Sequence, residues 1–317
     1  MKLAFVFPGQ GSQSVGMMSV WMAEGVINAA VKATFDEASS ALGEDLWKLV
    51  VDGPVEALSR TVNTQPVMLT AGVATYRAWI AAGGSPPAVM AGHSLGEYAA
   101  LVAADALALA DAVPLVRFRA QAMQEAVPEG TGAMAAILGL ADDEVRAACA
   151  EASQATSLVV EAVNFNAPAQ VVIAGHKRAV EHGIEACKAR GAKRGLMLPV
   201  SAPFHSSLLA PAAERLARRL DDIAFAMPSI PVVHNVDLSV SQTPAAIRHA
   251  LARQAASPVL WVDTMRKFAD AGITHVVECG PGKVLSGMVK RGAPTLESIA
   301  LTDPAAIDAL LGTIRAH

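Results

Sequence analysis

The chain has 317 residues, of which 53% are hydrophobic and 17% charged, with a formal net charge of −4. That length and apolar fraction fill one large core or two smaller ones and exclude compositional disorder, and the slight acidity argues against nucleic acid as a partner. No apolar run approaches the ~20 residues of a spanning helix; the best candidate, Tyr98 to Val116, is broken by Asp105, Asp111 and Pro114.

The first predicted element is a buried strand, Leu3–Phe7, too short for a signal peptide. Phe7-Pro-Gly-Gln-Gly-Ser-Gln13 follows as a tight polar turn. It is no dinucleotide fingerprint, because Ser14 stands where the third glycine of G-x-G-x-x-G belongs, but close backbone approach at Gly9 and Gly11 can offer N–H groups to an oxyanion. Helices are expected at Ala30–Leu42 and Gln65–Ala82. A strand, Val89–Ala91, then runs into Gly92-His93-Ser94-Leu95-Gly96 and an Ala/Leu-rich helix. This is G-x-S-x-G in its strand–turn–helix setting, which exposes a serine hydroxyl at the top of a sheet and on a helix N-terminus that favours negative charge. A structural Gly-Ser turn is the alternative; the strand before and helix after favour a nucleophilic Ser94.

A helix over Asp111–Ala126 carries Arg117 and Arg119, about 200° apart around its axis. The neighbours of Arg119 at three and four residues are Leu115, Val116, Ala122 and Met123, all apolar. A guanidinium there is costly unless it meets an anion. Arg119 is therefore either a bidentate clamp for a ligand carboxylate or half of a structural ion pair with a buried acid.

The pattern changes from about Gly130 to Pro199. Met134–Leu138 reads as a strand, Asp142–Ala152 as a helix, Leu158–Asn164 and Gln170–Ala174 as paired strands, Lys177–Arg190 as a helix and Gly195–Val200 as a last strand. The order β-α-β-β-α-β is ferredoxin-like. It implies a small domain, residues 129–201, inserted into a discontinuous α/β domain of residues 1–128 and 202–317, with a cleft between them suited to a substrate. Pro128-Glu-Gly130 and the run from Pro199 to Pro203 mark the junctions.

Past the second junction, His205 stands in Ser201-Ala-Pro-Phe-His-Ser206, on a turn at the predicted cleft. A nucleophilic serine needs a base, and His205 is the candidate among eight histidines, although position alone leaves a structural role open. His93 adjoins Ser94 and should point away from it. His176, His182 and His249 read as surface residues, His275 precedes a strand and His317 is terminal. No acid is evident as a third member, and the chain order departs from the Ser, acid, His of G-x-S-x-G hydrolases. Strands at Pro231–His234, His275–Cys279 and Ser298–Leu301 complete the parallel α/β pattern. Cys279-Gly-Pro-Gly-Lys283 lacks P-loop spacing, and no H-E-x-x-H metal motif is present. Cys149, Cys187 and Cys279 are far apart, which suggests a reducing cytoplasm.

Taken together, these motifs resemble the malonyl-CoA:acyl carrier protein transacylases of fatty-acid synthesis. The resemblance runs nearly end to end: Phe7-Pro-Gly-Gln-Gly-Ser-Gln13, Gly92-His-Ser-Leu-Gly-Glu97, Arg119 with Met123-Gln124, Asn164-Phe-Asn166 with Gln170-Val-Val-Ile-Ala-Gly175, Pro203-Phe-His-Ser206, Gln254 with Pro258-Val259, and Glu278-Cys-Gly-Pro-Gly282. It implies an α/β-hydrolase-like large domain with a ferredoxin-like insert. It implies Ser94 as nucleophile, His205 as base, and Gln254 orienting the histidine in place of a carboxylate. The backbone N–H groups of Gln10 and Leu95 become an oxyanion hole. Arg119, Phe204, Met123 and Asn164 become substrate-binding residues, with Arg119 on the malonyl carboxylate and Phe204 as in the malonyl-selecting form.

The implied partners are malonyl-CoA and an acidic acyl carrier protein, both substrates, so no cofactor, metal or membrane is expected, and the expected form is a cytoplasmic monomer. Docking an acidic carrier calls for a basic patch. Lys188, Arg190, Lys193 and Arg194 are the candidates; a solvated helix end is the alternative. Acyltransferases of polyketide synthesis or malonate decarboxylation share these features. Arg119 and the missing acid argue against a serine hydrolase such as a thioesterase.

Overall fold

The structure, a computed structural model, describes residues 1–22, 25–200 and 202–316. The expected junction residue Ser201 and the terminal His317 lie outside the described residues. The strands in chain order are β1 (Leu3–Phe7), β2 (Val89–Gly92), β3 (Gly132–Leu138), β4 (Val160–Ala167), β5 (Gln170–His176), β6 (Arg194–Met197), β7 (Val232–Val233), β8 (His275–Cys279) and β9 (Glu297–Leu301). They form two sheets among the described residues.

The larger sheet has the order β7-β2-β1-β8-β9, and its pairings are parallel. Its central strand, Leu-Ala-Phe-Val-Phe, is buried at every position, as a parallel strand covered on both faces requires. Alternation still sorts its side chains. Phe5 and Phe7 face a layer containing Tyr76 and Trp79, while Ala4 and Val6 face Trp261 and Phe268. Phe5 meets Tyr76 and Trp79 edge-on, with ring centroids 5.9 and 5.6 Å apart. Truncating so fully packed a ring costs about 3–5 kcal/mol.

The smaller sheet, order β4-β5-β3-β6, is antiparallel. Helices Asp142–Thr156 and Lys177–Ala189 cover one face, against Ala135, Ile137 and Ile173. The other face turns Met134, Val163 and Val172 toward Leu198, Val200 and Phe204. This two-subdomain mixed α/β architecture is the fold class expected.

Two strands are shorter than the sequence suggests. β7 keeps only Val232–Val233 of the expected Pro231–His234: Pro231 has no N–H to give, and the chain turns back at once, with Leu238 N–H bonding the His234 carbonyl at 3.1 Å. β6 ends at Met197 instead of Val200. The tight bond from Val200 N–H to the Leu198 carbonyl, 2.9 Å, turns those residues out of the sheet, and they line the site instead. The three cysteines are free and buried. No helix among the described residues is long and apolar enough to cross a membrane.

Candidate active site

β2 leads into Ser94, whose φ of +52° is unusual for a residue with a side chain. The turn leaves no room for larger neighbours: a Cβ on Gly92 would lie 1.8 Å from the Gly96 carbonyl carbon, and one on Gly96 2.0 Å from the Phe7 carbonyl oxygen. Asn235, just beyond β7, holds the strained turn from below. Its Oδ1 accepts from Ser94 N–H at 2.7 Å and its Nδ2 donates to the Gly92 carbonyl at 2.7 Å. Strain supported from several sides in this way is a mark of functional sites. Beside the turn, His93 points away from the hydroxyl, to Asn166 Oδ1 of β4 at 2.8 Å.

His205 also has a positive φ, +65°. Its turn is closed by Ser206, whose hydroxyl donates to the Pro203 carbonyl at 2.7 Å. The ring is 3% exposed, and its Nε2 lies 2.7 Å from Ser94 Oγ. Its Nδ1 lies 2.9 Å from the main-chain carbonyl of Gln254. A carbonyl only accepts, so Nδ1 carries the proton and Nε2 is free to take one from the serine. Burial, and then the charge of Arg119, hold the histidine down to about 3. The residue expected to orient His205 therefore meets it through its backbone. The Gln254 side chain goes elsewhere.

Arg119 comes from the Leu109–Glu125 helix and is 2% exposed. Its Nη1 donates to Gln65 Oε1 at 2.8 Å, and its Nη2 to Gln254 Oε1 at 3.0 Å and Ser94 Oγ at 3.2 Å. Three of the five N–H donors of a guanidinium are thus met, leaving two, and Nε has no partner among the described residues. No ion pair involves Arg119 among the described residues. Of the two alternatives left by the sequence, the direct ion pair is absent among the described residues; the buried Glu97 acts on the guanidinium only as a nearby charge. Burial lowers the guanidinium's pKa.

These groups open on a cavity of about 130 Å³, lined also by Gln10, Leu95, Met123, Asn164 and Phe204. Neither the Gln10 nor the Leu95 N–H has an acceptor among the described residues, and a Cβ on Gly9 would come within 3.8 Å of the Leu95 nitrogen. Among the described residues, Asn164 Oδ1 is buried without a partner. Among the described residues, no group of three or more His, Cys, Asp or Glu side chains is placed to hold a metal ion.

A family model described as acyl transferase domain matches residues 4–316. This chain belongs to the acyl transferase family. It is 55% identical over 310 residues to the malonyl CoA-acyl carrier protein transacylase of Escherichia coli (strain K12), covering 98% of this chain and 99% of that protein. The acyl-carrier-protein S-malonyltransferase of Burkholderia pseudomallei 1710b, a solved structure, matches at 60% identity with a TM-score of 0.95, covering 98% of this chain and 100% of that one. A malonyl-transacylase solved in complex with its type II PKS acyl-carrier protein matches at 48% identity with a TM-score of 0.95, covering 99% of this chain and 100% of that one.

The acyl transferase site also contains residues that the motifs did not single out for a role: Gln65, Glu97, His234 and Asn235. Glu97 lies inside the quoted elbow motif. His234 and Asn235 follow the end of a parallel strand, where ligand sites of open α/β sheets lie, and that was the available signal. The four basic docking candidates sit on the small subdomain and are not equivalent. Lys188 is paired with Glu185 at 2.8 Å, and Arg190 with Glu144 and Glu151 at 2.9 and 3.0 Å. Lys193 and Arg194 have no ion pair among the described residues.

Proposed function

We infer that this acyl transferase moves a malonyl group from malonyl-CoA to the phosphopantetheine thiol of an acyl carrier protein, supplying fatty-acid elongation as an [acyl-carrier-protein] S-malonyltransferase. The single observation that carries the reading is Arg119: a buried guanidinium beside Ser94 Oγ, with a donor left over and no direct ion pair among the described residues. An acyl group that ends in a carboxylate supplies the missing anion. The cavity of about 130 Å³ suits it. An engineered cavity of about 150 Å³ holds benzene, which has six heavy atoms, as a malonyl group has.

In the proposed chemistry, His205 Nε2 takes the Ser94 proton as Oγ attacks the thioester carbonyl. The Gln10 and Leu95 N–H groups receive the oxyanion. The C–S bond breaks, CoA leaves with the proton from His205, and a malonyl-serine ester remains. The carrier's thiol then gives its proton to His205 and attacks the ester, restoring the serine. Two half-reactions through one site give ping-pong kinetics. Met123, Phe204 and Asn164 wall the acyl group, with Phe204 against its α-carbon disfavouring a methyl branch. CoA and the carrier's arm are substrates, so the cycle calls on no cofactor. A cytoplasmic setting and a division at residues 129–201 belong to the same proposal.

Labelled malonyl-CoA tests it. A malonyl-enzyme on Ser94 that persists until holo carrier protein discharges it is expected; rapid release of free malonate would mean a hydrolase. The neighbour seen with a type II PKS acyl-carrier protein favours a second reading, service to polyketide carriers, and comparing discharge by the two carrier classes decides between them.

A further inference from the structure

Glu97 is fully buried behind Ser94, on the first turn of the Gly96–Ala103 helix, and the transfer chemistry makes no use of it. Its carboxylate is met from two distant segments. His234 Nδ1 donates to Oε1 at 2.7 Å, while Asn235 N–H and Gln254 Nε2 donate to Oε2 at 3.0 and 2.9 Å. The far nitrogen of His234 lies 2.6 Å from Ser241 Oγ. Burial pushes the His234 ring's pKa down, but the hydrogen bond to Glu97 and its charge outweigh this, and the net shift is upward.

Gln254 is the link to the acyl cavity. Its Nε2 bridges Glu97 and the Ser94 carbonyl, at 2.9 Å to each, and its Oε1 accepts from Arg119 Nη2 at 3.0 Å. The two ends of an amide are not interchangeable here. Flipped, its NH2 would face a guanidinium, which cannot accept, and its oxygen would face a carboxylate and a carbonyl, which cannot donate. The Ser94 carbonyl and the Arg119 guanidinium disfavour the flip, and a carboxylate at position 97 adds a charged acceptor against it. A neutral amide there can meet either end, so its contribution to fixing Gln254 is lost.

We propose that Glu97 is a positioning residue for recognition of the substrate carboxylate: through the fixed amide of Gln254 it sets the direction in which Arg119 presents its guanidinium to the acyl cavity. His234 holds the other oxygen of the carboxylate in place. This rests on the malonyl-transfer reading. A structural role alone, buttressing the elbow through Asn235, acts on every acyl donor equally, whereas setting Arg119 acts on donors that carry a carboxylate.

The test compares kcat/KM for malonyl-CoA and acetyl-CoA in wild type and Glu97→Gln. The malonyl-to-acetyl ratio is expected to fall at least tenfold, with the loss in KM for malonyl-CoA. Parallel losses on both donors, or an unchanged ratio, overturn the proposal. Two substitutions at His234 give an independent arm should Glu97→Gln not fold. His234→Asn keeps an N–H donor where Nδ1 was and retains the ratio. His234→Leu removes the donor to Glu97 Oε1 altogether, frees that end of the buried carboxylate, and lowers the ratio as Glu97→Gln does; a ratio unchanged in His234→Leu also overturns the proposal. A wild-type protein that forms no malonyl-enzyme sinks the transfer reading instead.

Discussion

Replacing Arg119 with Ala isolates the feature proposed to select a malonyl group. The guanidinium is buried, has two unmet N–H donors and lies 3.2 Å from Ser94 Oγ. Two charge-assisted hydrogen bonds to a substrate carboxylate, at about 1.5–3 kcal/mol each, give about 3–6 kcal/mol, or roughly 10²–10⁴-fold in kcat/KM. The substitution also strips a donor from Gln65 and Gln254 and opens space beside Met123, which harms any donor. Acetyl-CoA, with no carboxylate, reports that common loss and is subtracted. The rate of acyl-enzyme formation with each labelled donor is the assay. The charge of Arg119 is also the second cause, after burial, of the low pKa of His205, so the acid limb for acetyl transfer should move to higher pH in the variant. Malonyl and acetyl transfer falling by the same factor would refute the assignment of Arg119 to the carboxylate.

Other outcomes follow from the same geometry. His205 stands at about 3 in the folded chain against about 6.5 when unfolded, so the fold rejects a proton that the unfolded chain accepts. The stability this contributes is present above the unfolded value and is lost as pH falls through the folded one. The rate of malonyl-enzyme formation should accordingly stay level down to about pH 5, where an unperturbed histidine would have cost about 30-fold; an acid limb near pH 6.5 would contradict this. Gly9→Ala places a Cβ 2.7 Å from the His93 carbonyl oxygen and displaces the turn that carries Gln10. It should lower kcat about 10²-fold and lower the thermal midpoint as well, since the atom met is backbone; an unaffected kcat removes Gln10 N–H from the oxyanion hole. Charge reversal at Lys193 and Arg194, which are free of ion pairs among the described residues, should raise KM for the carrier protein several-fold more than KM for malonyl-CoA. Equal changes in both would leave these residues as a solvated surface.

The parts of the molecule visible in the sequence are those that local chemistry dictates. β1 has the bounds read from its apolar run, because a strand covered on both faces has no polar residue to blur its ends; β8 also keeps the bounds read for it, although it includes His275 and Glu278. The ferredoxin-like order is legible because helix and strand periods alternate within one continuous segment. Ser94 is legible because its turn needs glycines at fixed spacing, and Arg119 because its neighbours on one helix face are apolar. Two kinds of information were not legible. The cluster of Gln65, Glu97, His234 and Asn235 draws on three separate segments that meet only through the β7-β2 pairing and the packing of the Thr61–Ala81 helix. The partner of His205 is a main-chain carbonyl, and every residue has one, so the type of residue 254 carries no sign of that contact.

The acid missing from the chain order is thus not missing from the site. Glu97 lies one residue from the contacts that matter, yet its charge goes to His234, Asn235 and Gln254, while His205 receives a neutral carbonyl. The difference has a chemical consequence. A buried imidazole with a neutral partner and a cation nearby is a weak base. Weak bases discriminate strongly between the protons they can remove. A thiol ionises near pH 8.5 and needs little help, whereas bulk water, near 15.7, needs much more. Moving the carboxylate off the histidine and onto the groups that hold Arg119 therefore acts in two ways at once. It should slow the loss of the malonyl group to water, and it fixes the cation proposed to recognise that group, as inferred for Glu97. In a hydrolase the acid strengthens the base; here its contacts run to Gln254 and through it to Arg119, an arrangement that, on the proposed reading, suits a serine that must hold its acyl group until a thiol arrives.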